Sequence, residues 1–218
     1  MVEEAIDNEI GQLIDRKEGP KGKSIEHLSV FGLAPIPALA YLGRRIGDTI
    51  PADVYQRHRE TGDWQWAEEK EVPCSYIVDH PCDEGIGRQG SGGSSDRSEE
   101  SSESVAVRLS LSGDVRRADV EKALGCRPLL YTITIDKPRR DFLRLEDELK
   151  RFRKEWMSLL AEIRGAHGAD VEIHLFPAVP NSVAIEIGRT QLPKSDPPIS
   201  IYDHDKEQAG FIHALTLT

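Results

Sequence analysis

Aromatic and basic side chains alternate over a short stretch in the first third of the chain. Tyr55, Arg57 and Arg59 are two residues apart, so on a strand they share one face. Trp64 and Trp66 follow with the same spacing. An arginine pairs with a phosphate through two parallel hydrogen bonds, and an indole ring stacks on a nucleobase. The pattern favours contacts to a nucleotide-like anion; the alternatives are a solvated strand face for the arginines and core packing for the tryptophans.

Two loops that contain prolines offer a second set of contacts, at 32–37 and 176–182. Gly32 allows a close approach of the backbone to a ligand, whereas Asn181 and Ser182 can cap a helix or donate hydrogen bonds. The alternative is that both loops only begin helices. The candidate contacts in these loops are Gly32, Leu33, Ala34, Pro35, Phe176, Pro177, Ala178, Asn181 and Ser182.

The remaining polar candidates lie near predicted strand and helix ends. Tyr202 and Asp203 follow a strand, and the Asp203 carboxylate can accept from a base edge or a ribose hydroxyl. Arg44 and Arg189 lie at helix carboxyl ends, where a cation caps carbonyls, so we interpret both as structural. His58 is expected to point away from Arg57 and its neighbours, outside the ligand contacts.

No residue set indicates a metal or a catalytic centre. Cys74, His80 and Cys82, together with His58 and Glu60, suggest a zinc deaminase at first, but neither cysteine has another cysteine three residues on. The motifs G-x-S-x-G, P-loop and G-x-G-x-x-G are also missing from the sequence. We therefore expect no metal, no cofactor and no enzymatic activity.

The bulk composition limits the partners. The 218 residues carry a net charge of -10, which disfavours binding of long nucleic acid, while a local group of donors can still bind a small anion. No apolar run is long enough to span a bilayer, and the first residues lack the apolar core of a signal peptide. Three cysteines are typical of a reducing compartment, so we expect a cytoplasmic protein that does not bind membranes.

Strand and helix patterns mostly alternate, which predicts an α/β fold. Residues 1–24 are predicted to form a helix followed by a linker. The stretch 84–104 is rich in Gly, Ser and acidic residues, and we predict a mobile loop there, to which we assign no role. The predicted strands are 27–34, 52–59, 72–79, 105–114, 128–136, 170–178, 198–204 and 210–217; the predicted helices are 35–50, 114–125, 139–165 and 180–189. Prolines mark two helix starts because the first turn needs no proline N–H.

An internal repeat relates the two halves of the chain. "VFGLAPIPALAYLGRR" aligns with "LFPAVPNSVAIEIGRT", and "VYQRHRETGDWQW" aligns with "IYDHDKEQAGFIH". The matched positions are Phe31 with Phe176, Pro35 with Pro180, Gly43 with Gly188, Arg44 with Arg189, Tyr55 with Tyr202, and Trp64 with Phe211. Two linked segments in the same order indicate a duplicated unit. The strand ends of two such units are expected to converge on one crevice, where α/β sheets bind ligands.

These phrases, with "WQW" and "IYD", resemble the SAVED domain over residues 25–218. The resemblance implies two fused CARF-like Rossmann-type units, at about 25–112 and about 113–218. It also implies a receptor for a cyclic di- or trinucleotide, with cGAMP among the possible ligands, in a CBASS antiphage defence system. The chain is most similar to the SAVED domains that are fused to HNH endonucleases.

In such a system, a partner nucleotidyltransferase makes the messenger and meets the receptor only through it. Ligand binding then drives self-association through SAVED domains, which activates a fused or separate effector. Two alternatives stay open: a ring nuclease that degrades the messenger, and an oligomerisation scaffold that binds no ligand.

Overall fold

The protein is described by a computed structural model over residues 2–7, 25–48, 50–68, 73–81 and 104–218. The helices are α1 (Val2–Ile6), α2 (Ile36–Ile46), α3 (Arg117–Leu124), α4 (Glu146–His167) and α5 (Asn181–Thr190). The strands are β1 (Leu28–Phe31), β2 (Ala52–Tyr55), β3 (Tyr76–Asp79), β4 (Val105–Ser110), β5 (Leu129–Ile135), β6 (Ile173–Ala178), β7 (Ile199–Asp205) and β8 (Gly210–Leu217). Within these described residues, no helix combines the length and the apolarity that a membrane crossing requires.

The strands form two unequal sheets. β1 and β2 pair in parallel, and the other strands form a six-stranded sheet in the order β3-β5-β4-β6-β7-β8. β4, β5, β6 and β7 run parallel, with antiparallel β3 and β8 at the edges. The predicted α/β class is confirmed. The predicted first unit, at about 25–112, includes β3 and β4. In the structure these strands pair with β5 and β6 of the six-stranded sheet and not with β1 or β2.

Alternating side chains of β4 separate the two faces of the large sheet. Val107 and Leu109 join the main core, which α4 and α5 supply with residues such as Trp156 and Ile185. Ala106 faces the other side, in a smaller cluster that α3 covers. Successive side chains of β4 thus enter different clusters on opposite faces of the sheet, and both faces are buried.

The two proline-marked helices begin where the sequence predicts. α2 starts directly after Pro35, and α5 starts directly after Pro180. α2 packs along α5 and reaches β7 and β8, while α5 reaches back to β2. Each helix therefore covers strands of the other repeat, so the two units share a single core.

The start of α4 depends on one buried carboxylate. Glu148 is 4% exposed and accepts hydrogen bonds from the N–H groups of Arg144 and Leu145 through Oε2, at 2.9 and 3.1 Å. Its Oε1 accepts from the N–H of Cys74 at 2.8 Å. These contacts satisfy donors ahead of the helix, so α4 begins at Glu146, later than the apolar pattern predicted.

Other boundaries also differ from the sequence predictions. The second strand was expected over 52–59, but β2 ends at Tyr55. Beyond it, the N–H of His58 donates to the carbonyl of Asp63, and the N–H of Gly62 donates to the carbonyl of His58. These bonds close a turn that an extended strand does not allow. The predicted linker after the first helix and nearly all of the loop 84–104 lie outside the described residues.

Candidate functional site

A crevice of about 720 Å³ lies where the two repeats meet. Leu33, after β1, and Pro180, after β6, both line it, so the equivalent loops of the two units share one hollow. The other lining residues follow the carboxyl ends of β2, β4, β5, β6 and β7, or belong to the turn at 58–63; they are Gln56, Arg57, His58, Arg59, Gly62, Ser112, Arg140, Val179, Asn181 and Lys206. We call this hollow the basic crevice.

The charge of the basic crevice is opposite to that of the chain. Arg57, Arg59, Arg140 and Lys206 line it, and none of its lining residues that the structure describes is acidic. In a chain with a net charge of -10, this arrangement concentrates positive potential in one concave place. Such a site suits an anionic ligand, with the arginines able to grip phosphates in a bidentate manner.

Two of these cations were missed by sequence reasoning. Arg140 and Lys206 lie in loops after β5 and β7, within charged stretches that show no periodic pattern. These two residues can be identified only from the sheet topology. Once the strand order is known, every loop at the carboxyl end of a parallel strand becomes a candidate.

The amino end of α5 is held by a side chain of the first repeat. Gln56 Oε1 accepts from the Ser182 N–H at 3.2 Å and from the Ser182 hydroxyl at 2.9 Å. Asn181 Nδ2 donates to the Gly32 carbonyl at 3.0 Å. Ser182 itself is fully buried. In this structure Gln56 accepts the hydrogen bonds of Ser182, and the role of Ser182 as a ligand donor stays a prediction.

Gly32 packs closely against two side chains of the core. A Cβ atom here would lie 2.7 Å from Ile185 Cδ1 and 2.8 Å from Leu39 Cδ2. The neighbouring Leu33 is 60% exposed and lines the crevice. Ala34 and Pro35 are exposed but are not among the lining residues.

Two aromatic groups show the internal repeat most clearly. In the first, Phe31 stacks on Tyr55 at 4.6 Å between ring centroids and meets Trp64 edge-on at 5.3 Å. In the second, the equivalent residues make the same contacts at almost the same distances: Phe176 stacks on Tyr202 at 4.5 Å and meets Phe211 edge-on at 5.3 Å. The alignment of the two halves is thus reproduced in three dimensions.

The two aromatic groups differ in exposure. Phe31 is 53% exposed, whereas Phe176 is fully buried under α3. In this structure Phe176 packs inside the protein, and its contact with a ligand stays a prediction. Pro177 is also buried, and Ala178 uses its carbonyl to bond the N–H groups of Leu111 and Ser112.

Tyr202 and Asp203 lie inside β7, within the predicted strand 198–204. The Tyr202 hydroxyl contacts His174 Nδ1 at 3.3 Å, and Asp203 Oδ1 accepts from the N–H of His204. Neither residue lines the basic crevice. Arg189 and Arg44 bond backbone carbonyls, as a structural role requires.

The tryptophans diverge, because the residues around them form no strand. Trp64 belongs to the exposed aromatic group, whereas Trp66 lies edge-on to His58 at 5.8 Å. Trp66 lines an adjoining cavity of about 300 Å³, which shares Gln56, Arg140 and the stretch 57–59 with the basic crevice.

His58 lines both cavities, contrary to the expectation that it faces away. Burial lowers the pKa of its imidazole, with Asp63 opposing the shift, so the ring is neutral at neutral pH. Its Nε2 is buried, and no residue that the structure describes hydrogen-bonds to it.

Comparisons with known proteins identify the family. Residues 7–217 match the model of the SAVED family, "SMODS-associated and fused to various effectors sensor domain". The chain belongs to the SAVED family. Within its described residues, no group of three or more His, Cys, Asp or Glu side chains is placed to hold a metal ion. No curated protein sequence matches this SAVED domain.

Solved structures with the same fold include SAVED/CARF-domain containing receptors named Cap4. The Acinetobacter baumannii Cap4 receptor with the cyclic trinucleotide 3'3'3'-cAAA has 14% sequence identity and a TM-score of 0.64, covering 99% of this chain and 42% of that chain. The same receptor with 2'3'3'-cAAA gives 13% identity and a TM-score of 0.60, again covering 99% and 42%.

The Moraxella osloensis Cap4 receptor gives 13% identity and a TM-score of 0.53, covering 100% of this chain and 41% of that chain. At this level of identity the likeness establishes the fold. This SAVED domain spans about two fifths of the length of those receptors.

Proposed function

We propose that this SAVED domain is a cytoplasmic receptor for a cyclic di- or trinucleotide in a CBASS antiphage system. The observation that carries the proposal is the basic crevice, where loops of both repeats place three arginines and one lysine around a hollow whose described lining residues include no acidic side chain. A cyclic oligonucleotide presents a ring of phosphates, which needs several cations at once. The Cap4 receptors with the same fold are described with cyclic trinucleotides.

The proposed binding energy comes from two sources. Arg57, Arg59, Arg140 and Lys206 pair with the phosphates, and His58 forms part of the wall. Stacking on an aromatic ring adds about 1–3 kcal/mol per base. The exposed aromatic group around Phe31 and the ring of Trp66 are the candidates for this contact.

We further propose that ligand binding drives association of SAVED domains and so activates an effector, fused or separate, such as an HNH nuclease. The ligand can only shift this equilibrium by the difference between its affinities for the free and associated forms. The cognate nucleotidyltransferase contributes through its product alone.

A thermal-shift panel tests the receptor proposal. Cyclic dinucleotides, including cGAMP, and the two cyclic trinucleotides above are added to the full chain. One of them at 100 times its Kd should add about 2.7 kcal/mol of stability. The Arg57→Gln/Lys206→Gln double variant should lose the shift, whereas Lys194→Gln, at an exposed lysine that does not line the crevice, should keep it. A panel without any shift would contradict the proposal.

Two further measurements separate the alternatives. Size-exclusion chromatography with light scattering should show an increase in mass with the ligand that gives the shift. Chromatography of the nucleotide after incubation should return it intact. Linear products would instead indicate an enzyme that degrades the messenger.

A further inference from the structure

A second basic cavity, of about 580 Å³, lies on the face of the large sheet that α3 partly covers. Its lining combines the end of β3 and the residue pair after it, at 78–81, with the start of β5, at 128–130. Arg108 from β4 and Thr132 from β5 line it from the middle of the sheet. None of these residues lines the basic crevice, so the two hollows are separate.

Arginines dominate the charge of this second cavity. Arg108, Arg117 and Arg127 line it, and among the residues that the structure describes Asp79 supplies the one lining carboxylate. Glu121 does not line the cavity. Its carboxylate pairs with two of these arginines, at 3.7 Å from Arg117 and 4.0 Å from Arg127. The side chains that line the cavity therefore carry a net positive charge, again in an acidic chain.

Arg108 is the key residue because its charge is half-buried. Its Nε donates to Thr132 Oγ1 at 2.9 Å, and its Nη1 donates to the Val115 carbonyl at 3.0 Å. Both acceptors are neutral, and no carboxylate of the described residues forms an ion pair with Arg108. A half-buried cation that lacks a counter-charge is unfavourable, so an anion bound beside it gains from the pairing.

We propose that this second cavity binds a small organic phosphate. Guanidinium groups match a phosphate in geometry and charge, and Arg108 holds its planar group fixed through two hydrogen bonds. The apolar side chains of Val78, Leu129 and Leu130 line the same cavity and suit the organic part. The volume lies within the range of small-molecule sites, roughly 300–1,000 Å³. The proposal does not depend on what the basic crevice binds.

Titration calorimetry of the full chain with inorganic pyrophosphate at low salt tests this inference. We expect saturable binding, weakened roughly tenfold or more in Arg117→Gln and in Arg108→Met, since a hydrogen bond between charged groups is lost. Arg117→Gln changes a side chain that is 43% exposed, so it keeps the fold. Arg116→Gln is the matched control: this adjacent arginine is 73% exposed, pairs with Asp119, and should leave the affinity unchanged.

The location of binding is tested separately. The Arg57→Gln/Lys206→Gln variant should retain the pyrophosphate affinity, and NMR shift changes should centre on the amides of 129–132. Three results would overturn the proposal: no saturable binding, an equal loss in Arg116→Gln, or shift changes confined to the basic crevice. Binding of an aspartate-rich peptide that pyrophosphate fails to displace would also overturn it, in favour of a protein partner.

Discussion

Gly43 of α2 and Gly188 of α5 make reciprocal contacts across the crossing of the two helices. A Cβ atom on Gly43 would lie 1.9 Å from the carbonyl oxygen of Ile185, and one on Gly188 would lie 1.8 Å from that of Ala40. Ala40 and Ile185 are themselves equivalent positions of the repeat. Each helix therefore makes the same contact with the other. At this crossing the two helix backbones are in direct contact, and there is no space for a side chain at either glycine.

We predict that Gly43→Ala and Gly188→Ala each lower the free energy of unfolding by about 3 kcal/mol or more, because the added methyl group meets backbone and forces the helices apart. The double variant should cost less than the sum, since one displacement relieves both clashes. Urea denaturation measures the free energy of unfolding of the two single variants and the double variant. Gly165→Ala is the control: this exposed glycine inside α4 has no atom within 4 Å of an added Cβ, so the change should stabilise by about 0.5–1 kcal/mol.

The repeat was the part of the fold most accessible from the sequence. Matching Phe31 with Phe176 and Tyr55 with Tyr202 predicted equivalent surroundings, and the structure shows equivalent stacked pairs. Both proline-marked helix starts were predicted for the same reason, because local backbone chemistry determines them.

The differences between equivalent residues were not readable from the sequence. Phe176 is buried because α3 covers it, whereas no described element buries Phe31 to the same degree, and only the tertiary arrangement decides this. Likewise, Gln56 bonds Ser182 across 126 positions of the chain. Such a contact produces no local sequence pattern. For this reason the sequence analysis predicted a ligand, and not Gln56, as the partner of the residues at the amino end of α5.

Arg189 lies buried at the carboxyl end of α5, and its removal should be costly. It is 4% exposed, bonds the carbonyls of Gly47 and Ala52, and pairs with the buried Glu186 at 2.7 Å. Arg189→Met leaves that carboxylate without its nearest partner, so we expect a loss of about 3–5 kcal/mol. Adding Glu186→Leu should recover most of it. Equal costs for the single and double variants, by urea denaturation, would contradict this reasoning.

The equivalent position in the first repeat provides the comparison for Arg189. Arg44 donates to the carbonyl of Thr218, and no carboxylate of the described residues pairs with it. Arg44→Met should therefore cost only about 1 kcal/mol, the usual contribution of one hydrogen bond. A similar loss for Arg44→Met and Arg189→Met would show that the buried ion pair is not the cause.

His174 makes the stability depend on pH. Burial lowers the pKa of its imidazole from the ordinary 6.5, with Glu172 opposing the shift. The unfolded chain then takes up the proton more readily than the folded chain, so stability that is present above the unfolded pKa is lost as the pH falls toward the folded one. Urea midpoints at about pH 7.5 and about pH 5.5 should differ more in the wild type than in His174→Gln. Equal differences would show that His174 is not responsible.

Gln56→Glu should separate folding from ligand binding at the basic crevice. A carboxylate here still accepts from the Ser182 N–H and hydroxyl, and its negative charge favours the amino end of α5 by about 0.3–1 kcal/mol. The substitution also removes the hydrogen bond that Gln56 Nε2 donates to the Arg57 carbonyl at 2.9 Å, so the two effects oppose each other and the unfolding free energy should change by less than about 1 kcal/mol. The same charge enters a cavity proposed to hold phosphates beside Arg57 and Lys206, so affinity for the ligand found in the panel should fall roughly tenfold or more, by calorimetry. Unchanged affinity in a stable variant would show that the phosphates do not bind near Gln56. The proposed location of the ligand in the basic crevice would then be wrong.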